Sequence, residues 1–434
     1  MNSRPRNRKE QLTEAAAELF RRHGYHGVSV NDIAAAAGVT GPAVYRHFRG
    51  KQDVLAHVLL SGLDKFGLVT DQALAQDEPL HALVEAVSAM AVERRDVTAL
   101  WRWQGRHLAK ADQIKIRKRG MELMGDWVSA LRDSRPELSL ADAELLSWAA
   151  LSVFGSVADH HVTIPKRRFE QLLGRLACAV FRSPVPDSPP APRPEWQRPA
   201  TQPSRREELL TVATRLFRER GYRDVSMEDI GAAAGIAGPS VYRHFDGKAE
   251  LLMAAGYRMA DRLTMDARRV IENASSPREA LTGLVGSYVD IVWRSDDLLS
   301  VFASELGNVP DRDRKELVRV QRAYVAEWVT LLRTVAPRLP EPEARIAVHA
   351  ALTIVNDLTR TPRITGRPGL VAELTGLAVA VLDEAVLITS AEAGSGNDAH
   401  ARRDQVRRMA AGEHLAQKGL RRGPGRVQPE AGAR

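Results

Sequence analysis

Apolar side chains recur along this chain with a spacing of three to four residues. In the N-terminal part, Leu12, Ala16 and Phe20 fall on one side of a helical wheel, and Ala143 and Leu146 repeat this spacing further on. No useful length of the chain alternates between apolar and polar residues, as a half-buried strand would. The pattern therefore predicts an all-α protein.

Prolines interrupt the helical pattern at one place above all others. The segment Ser183–Ser204 contains eight prolines in 22 residues. Proline cannot continue a helix, because it lacks the backbone N–H, so this segment should be an extended, semi-rigid spacer. The chain is therefore expected to consist of two helical modules, 1–182 and 205–390, followed by a tail.

The two modules share a repeated sequence. Lys9–Leu55 and Arg206–Leu252 align without a gap at an offset of 197, and 26 of the 47 residues are identical. A weaker repeat follows at an offset of 201, where residues 126–128 recur as 327–329. A repeat of this extent indicates that the whole module was duplicated.

The repeated segment begins with two predicted helices. The first, Leu12–His23, is amphipathic and ends at Gly24. The second, Val30–Ala37, begins at Ser29 and Asp32, whose spacing is that of a capping box.

A third predicted helix follows a tight turn. Gly38 is a typical residue just beyond a helix C-terminus, and Pro42 suits a first helical turn. The third helix is expected to run through Tyr45 and His47 to Phe48, with Val44 and Phe48 facing the core. A short helix, a turn and a second short helix form the DNA-reading unit of many regulators.

The polar residues of this unit suit a groove lined by phosphates. Thr40 can cap the third helix and offer its hydroxyl to DNA, and Tyr45 and His47 can donate to phosphate oxygens. Lys51 is expected to add a charge-assisted contact. Arg46 can serve either a phosphate or a carboxylate of its own module.

Residues 28–55, with their Ala-Gly-Val turn, Tyr-x-His-Phe and Lys-x-x-x-Leu spacing, resemble the tetracycline-repressor (TetR) family of bacterial regulators, and so do residues 225–252. The resemblance implies a three-helix DNA-binding head, a helical ligand-binding body that dimerises through its last two helices, and repression released by a small molecule. The residues on the family's DNA-facing positions are Thr40, Gly41, Pro42, Tyr45, His47 and Lys51 in the first copy and Gly238, Pro239, Tyr242, His244 and Lys248 in the second. The candidate DNA-binding set also includes Arg46, Ser240, Arg243 and two residues of a basic arm, Arg4 and Arg6.

The predicted domain organisation follows from the repeat and the spacer. Two heads, each with its helical body, are separated by the proline-rich linker, and the chain ends in a basic tail that is expected to be disordered or to form a partly helical arm on DNA. The predicted ranges are 1–55 and 205–252 for the heads, 56–182 and 253–390 for the bodies, 183–204 for the linker and 391–434 for the tail.

Ordinary family members carry one module, so two in one chain leave two assemblies open. The bodies can pair within the chain as a pseudo-dimer, with Ala141–His161 and Lys166–Arg182 packing on Glu341–Arg360 and Gly369–Thr389. Two heads so arranged could reach major-groove faces about 34–36 Å apart. Alternatively, two chains pair and present four heads.

Charge is unevenly divided between the heads. The whole chain has a net charge of +8, which suits a polyanionic partner. Residues 1–55 carry nine basic and five acidic side chains, whereas residues 204–252 carry eight of each. Thr40 and Arg49 become Ala237 and Asp246 in the second copy. The first head is therefore expected to carry most of the DNA affinity, on a pseudo-palindromic operator with unequal half-sites.

The bodies contain aromatic and polar residues that could line an effector pocket, although aromatic residues at helical spacing are most often core residues. A hydrophobic effector, such as a lipid or an aromatic drug, is compatible with this mixture. The candidate ligand-binding residues are Trp101, His107, Trp127, Trp148, Phe302, Tyr324, Trp328 and Asn356. No metal site is expected from His160 and His161, because adjacent helical residues point in different directions.

Several other functions are disfavoured. The chain has no enzyme motif such as a phosphate-binding glycine loop or a nucleophile elbow, so neither a catalytic residue nor a cofactor is expected. The single cysteine, Cys178, the lack of a signal-peptide core and the charges within Leu370–Ile388 favour a bacterial, cytoplasmic, nucleoid-associated protein without a membrane span. The alternative to a ligand-responsive repressor is an architectural or partner-binding DNA-associated protein without small-molecule control.

Overall fold

A computed structural model describes residues 8–25, 27–95, 108–185, 204–294 and 311–388, and every regular element in these ranges is helical. The first module contains α1 (Arg8–His23), α2 (Val30–Ala36), α3 (Gly41–Tyr45), α4 (Lys51–Leu74), α5 (Pro79–Glu93), α6 (Lys110–Ser134), α7 (Leu140–Gly155) and α8 (Lys166–Arg182). A 3₁₀ turn, Ser156–Ala158, continues α7. The predicted all-α fold is confirmed.

The second module repeats the same order of helices. It contains α9 (Arg205–Arg220), α10 (Met227–Ala233), α11 (Gly238–Val241), α12 (Lys248–Asn273), α13 (Pro277–Arg294), α14 (Asp311–Val335), α15 (Glu341–Leu358) and α16 (370–388). The prediction that two similar helical modules follow one another is therefore confirmed. The described residues up to Ala385 belong to one compact unit.

Each head is a three-helix unit built around its own apolar core. In the first head, Leu12 and Phe20 of α1 pack with Ile33 of α2, Val44 of α3 and Leu55 at the start of α4, and all five are buried. The second head has the same arrangement around Leu209, Phe217 and Ile230. Because α4 and α12 begin in the head and continue into the body, they fix each head to its body.

Two helices at the centre of the molecule are apolar on all sides. In α7, Leu145 and Phe154 are both buried, although nine residues of helix place them on opposite sides. This pattern arises because α7 packs on α6 and α8 of its own module and also on α15 of the other module. A helix that is apolar all round is a buried helix.

The same helix is also the only described segment that is long and apolar enough to span a membrane. Its extent with the 3₁₀ turn is Leu140–Ala158, and 67% of the apolar window is buried inside the protein. The apolar stretch noted in the sequence, Leu370–Ile388 in α16, is not apolar enough to meet this criterion. Burial between two modules accounts for the apolar character of α7.

Candidate DNA-binding interface

The turn between α2 and α3 depends on one glycine. Gly38 has a φ angle of 66°, in the left-handed region that residues with a side chain rarely adopt. Its N–H donates to the carbonyl of Ala35, at 3.1 Å, and the next N–H, of Val39, donates to the carbonyl of Ala34, at 2.9 Å. These bonds satisfy carbonyls at the end of α2. Gly235 repeats the turn in the second head with a φ angle of 69°.

The helix that precedes the turn begins with a capping box in both heads, which confirms the prediction made for Ser29 and Asp32 of the first head. Ser29 Oγ accepts from the N–H of Asp32 at 3.1 Å, and the Asp32 carboxylate accepts from the N–H of Ser29 at 2.7 Å. Ser226 and Asp229 form the same box. Hydrogen bonds from Ser29 and Ser226 lower the pKa of the two aspartates, so both carboxylates stay charged at the helix N-termini.

Gly41 and Gly238 lie where the second and third helices of each head approach closely. A Cβ atom on Gly41 would collide with the side-chain amide oxygen of Asn31, and one on Gly238 would lie 3.0 Å from Cγ of Glu228. These two glycines therefore position the third helix by letting it pack closely. Whether they also contact DNA, as the resemblance implies, stays a prediction.

Two details of the third helix differ from the predictions. Thr40 occupies the N-cap position, but its side chain makes no capping hydrogen bond, so the predicted cap is wrong. The helix also ends at Tyr45 instead of Phe48. The N–H groups of His47 and Phe48 both donate to the carbonyl of Val44, which tightens the chain and turns Phe48 into the core.

The third helix separates a buried side from an exposed polar side. Val44 and Phe48 are buried, as predicted. Tyr45 is 59% exposed and Tyr242, its counterpart, is 50% exposed. Arg46 is exposed in the first head. A large exposed aromatic residue with a hydroxyl is well suited to a contact with a phosphate.

Other members of the predicted DNA-binding set lie on the same surface. In the first head, Pro42 and His47 are exposed beside Tyr45, and in the second head Pro239 and Arg243 flank Tyr242. The remaining members, Ser240 and His244, are half-buried.

The predicted DNA-binding lysines are held within their own heads. Lys51 Nζ donates to the carbonyl of Val28 at 2.8 Å and lies 4.4 Å from the centre of the Tyr25 ring. Lys248 Nζ donates instead to the carbonyl of Tyr222, at 2.8 Å, and lies 4.7 Å from the centre of the Tyr222 ring, which is equivalent to that of Tyr25. Burial lowers the pKa of Lys51, and the charge of Arg223, in the second head, lowers it further. The lysines thus join two elements of each head, and a phosphate contact stays a prediction.

Basic residues of the second head are paired with carboxylates to an extent that its sequence did not suggest. Arg206 pairs with Glu250 at 3.0 Å and lies 4.0 Å from the centre of the Phe245 ring. Arg220 lies 3.8 Å from Asp229. The first head has comparable pairs, Arg22 with Glu18 and Arg49 with Asp53, so the heads differ in net charge and not in the presence of such pairs.

The predicted ligand-binding residues in the described bodies are mostly packed in the core. Trp127 is fully buried among Phe66, Phe154 and Phe181, at ring distances of 5.8 to 6.4 Å, and its indole N–H donates to the hydroxyl of Thr70 at 3.4 Å. In the first body the tryptophan thus completes an aromatic cluster.

The second body has a more polar cluster at the corresponding place. Trp328 packs edge-on against Tyr288 and Tyr324, and the Tyr288 hydroxyl donates to Asn356 at 2.8 Å. Burial raises the pKa of Tyr288 to about 12. In the described part of the chain, the indole N–H of Trp328 has no well-aligned acceptor, although the Tyr324 hydroxyl is close to it.

Trp148 lies apart from both clusters. It lines an open groove of about 360 Å³ together with Met121, Val128 and Arg363. The predicted residues Arg4, Arg6, Trp101, His107 and Phe302, most of the linker and the tail beyond residue 390 lie outside the described residues. Among the residues that are described, no group of three or more His, Cys, Asp or Glu side chains could hold a metal ion.

Family models match three segments of the chain. The model of bacterial regulatory proteins of the tetR family matches residues 12–58 and 209–255, which cover α1 to early α4 and α9 to early α12. The chain belongs to the TetR family. A second model, the tetracyclin repressor-like C-terminal domain, matches residues 274–360 of the second TetR module.

Individual relatives of this TetR chain are also bacterial regulators. It is 27% identical over 136 residues to the HTH-type transcriptional repressor KstR2 of Mycolicibacterium smegmatis, covering 31% of this chain and 66% of that protein. It is 33% identical over 88 residues to the HTH-type transcriptional activator FasR of the same organism, covering 20% of this chain and 40% of that protein. The matches thus span two thirds or less of these curated relatives.

Among solved structures, a TetR-family transcriptional regulator from Bordetella parapertussis has a TM-score of 0.38 and 22% identity. The match covers 40% of this chain and 93% of that one.

Proposed function

We propose that this chain is a sequence-specific DNA-binding transcriptional regulator, most simply a ligand-responsive repressor. The observation that carries the proposal is the third helix of each head, whose buried residues hold it on the head while Tyr45 and Tyr242 point outward. Short outward polar side chains on the second helix of such a unit can read a major groove and its phosphates. The candidate DNA-binding residues are those named from the sequence, with the arm residues Arg4 and Arg6.

The two modules are proposed to act as an intramolecular pseudo-dimer. Support comes from α7 and α15, which pack directly on each other, and from ion pairs that join α8 to the second module, such as Arg168–Glu343 at 2.9 Å. These are the helices through which the sequence predicted that the bodies pair. Two heads on one paired body could read the two halves of one operator.

The first head is proposed to supply most of the DNA affinity. Its DNA-facing turn carries Thr40 and Arg49 where the second head has Ala237 and Asp246. Residues 1–55 carry four more basic than acidic side chains, whereas residues 204–252 carry equal numbers. Fewer free positive charges mean fewer released counterions and weaker binding to phosphates.

The second body is proposed to hold the effector. Its core contains Tyr288, Tyr324, Trp328 and Asn356, a set of polar and aromatic groups suited to an apolar molecule with a hydrogen-bond acceptor. The first body instead surrounds Trp127 with phenylalanines. The match of the C-terminal domain model to residues 274–360 supports the same assignment.

A DNase footprint on the DNA upstream of its own gene, with the mass of the complex measured in parallel, tests the proposed function. A single protected site of about twenty base pairs, or two helical turns, holding one chain is the expected result. A longer or doubled site holding two chains would contradict the pseudo-dimer but not DNA recognition. Protection without defined edges that disappears with salt would favour the architectural alternative.

A further inference from the structure

Two ion pairs across the module interface use carboxylates that are related by the internal repeat. Asp142 on α7 and Glu343 on α15 are 201 positions apart and thus equivalent. Asp142 accepts from Arg367 at 2.5 Å, and Glu343 accepts from Arg168 at 2.9 Å. The arginines are not equivalent, because at the same offset Arg168 aligns with Gly369 and Arg367 aligns with Lys166. The two contacts therefore share equivalent carboxylates but not equivalent cations.

A second group of contacts exists in one direction only. Glu384 on α16 accepts from Arg175 at 2.9 Å and from Arg182 at 3.0 Å, both on α8. Helix α16 aligns with α8 at the same offset of 201, where Leu-Ala-Cys-Ala-Val-Phe (176–181) corresponds to Leu-Ala-Val-Ala-Val-Leu (377–382). At this offset Ser183 occupies the position of Glu384, and Gly376 and Asp383 occupy those of the two arginines.

One further pair has the same directional character. Arg363 of the second module donates to Glu144 of the first at 2.8 Å. The residue equivalent to Glu144 in the second module is Arg345, which has the opposite charge. The interface therefore combines two contacts at equivalent carboxylates with contacts that only unlike modules can make.

Pairing between like modules would leave these charges without partners. Two first modules would place Arg175 and Arg182 of each opposite a serine instead of a carboxylate. Two second modules would place Glu384, which is only 7% exposed, opposite Gly376 and Asp383, and Arg363 opposite Arg345. A buried carboxylate that loses its partner, as Glu384 would, and like charges brought together disfavour an interface strongly. Arg175 and Arg182 are 42% and 66% exposed, so two first modules would lose the attraction to a carboxylate without burying an unpaired charge.

We propose that these charges make each body specific for the unlike body, so that the first module pairs with a second module and not with another first module. The inference rests on the proposed pseudo-dimer and states which modules can pair. The two modules of one chain supply each other's ionic partners, so four-headed assemblies built from like pairs are excluded. Specificity of this kind arises from penalties in the wrong complex as well as from contacts in the right one.

The test uses two full-length variants, one of which carries a mass tag. The first variant, R175E/R182E, has an acidic α8, and the second, E384R, has a basic α16. Each variant brings like charges together between α8 and α16 of its own chain. In a mixture, however, the acidic α8 of one chain matches the basic α16 of the other, while the two unchanged helices match each other.

Native mass spectrometry without DNA gives the readout. Wild type is expected at the single-chain mass of 47.8 kDa. Refolding the two variants together should shift the protein to a species with one chain of each kind, at twice that mass. The triple variant R175E/R182E/E384R should return to a single chain with the wild-type melting temperature.

The control is R319E, which reverses the charge of Arg319 in an exposed pair with Glu316 on α14. Its mass and melting temperature should equal those of wild type. The proposal is overturned if the mixture yields no mixed species, or if each variant alone behaves like the control. Because DNA is absent, this failure would leave the footprint and the proposed regulatory function untouched.

Discussion

At the scale of single residues, neighbouring positions of the third helix have different tasks. Val44 is fully buried in the head, whereas Tyr45, the next residue, is largely exposed. The second head repeats this with Val241 and Tyr242. The exposed tyrosines can thus be changed without disturbing the core, which makes them clean probes of DNA binding.

Replacing Tyr45 by Ala should lower operator affinity about tenfold or more, because a hydrogen bond to a charged phosphate contributes roughly 1.5–3 kcal/mol. Replacing Tyr242 by Ala should cost less, since the second head carries no net charge, with eight basic and eight acidic side chains in residues 204–252. Fluorescence anisotropy with labelled operator DNA at one fixed salt concentration measures both. Unchanged melting temperatures serve as the control, and equal losses would contradict the unequal division of affinity.

At the scale of elements, the heads depend on how their short helices end. A seven-residue α2 and a five-residue α3 are too short to be stable alone, so capping and the turn between them fix their geometry. Gly38 supplies the left-handed residue at this turn, and nothing lies within 4 Å of a Cβ added there. Any effect of a side chain at this position must therefore come from the backbone.

Gly38→Ala should lower the free energy of unfolding of the first head by about 1 kcal/mol, because alanine disfavours a positive φ angle. Gly120→Ala is the matched comparison: Gly120 lies within α6, and an added Cβ there also meets nothing within 4 Å. That change should stabilise by about 0.5–1 kcal/mol. Urea denaturation measures both, and shifts of the same sign would refute the explanation.

At the scale of the whole molecule, the modules meet at a buried pair of histidines. The ring centres of His160 and His349 are 5.0 Å apart, and the N–H of Val162 donates to Nδ1 of His160. Burial, and to a smaller extent the charges of His349, Arg95, His161 and Arg345, lowers the pKa of His160 to about 3. Burial likewise lowers the pKa of His349 to about 4, with Arg345 acting in the same direction and Asp159 against it.

The histidine pair predicts a loss of stability in acid. Both side chains are neutral in the folded protein, whereas the unfolded chain binds protons below about pH 6.5, so stability should fall as pH decreases from about 6.5 towards 4. At pH 5 each histidine should lower the free energy of unfolding by up to roughly 2 kcal/mol. Denaturation midpoints at pH 7.5 and pH 5 should differ less for His349→Gln than for wild type.

The control for this prediction is His81→Gln, since His81 is an exposed histidine on α5. It should retain the full acid loss of wild type. A His349→Gln variant with the same acid loss as this control would mean that the interface histidines do not govern the pH dependence.

Much of the head could be predicted from sequence because its signals are local. Ser29 and Asp32 cap a helix through atoms three residues apart, and Gly38 marks a turn that few other residues can form. Lys51 was harder to place, because its partners, Val28 and Tyr25, are brought to it only by folding. The spacing of Trp127 and Trp328 could not show whether they belong to the core or to a ligand pocket, because aromatic residues in either place recur at the same helical spacing.

The sequence by itself determined that this protein is helical, that it carries one module twice, and that each copy opens with a helix-turn-helix head, because repeats, caps and glycines act over short distances along the chain. Tertiary structure alone decided which charges meet across the modules. Glu384 lies 209 residues from Arg175, and no local rule connects them. Ser183 stands where the repeat has Glu384, and this difference matters only because folding places Glu384 of α16 beside the arginines of α8.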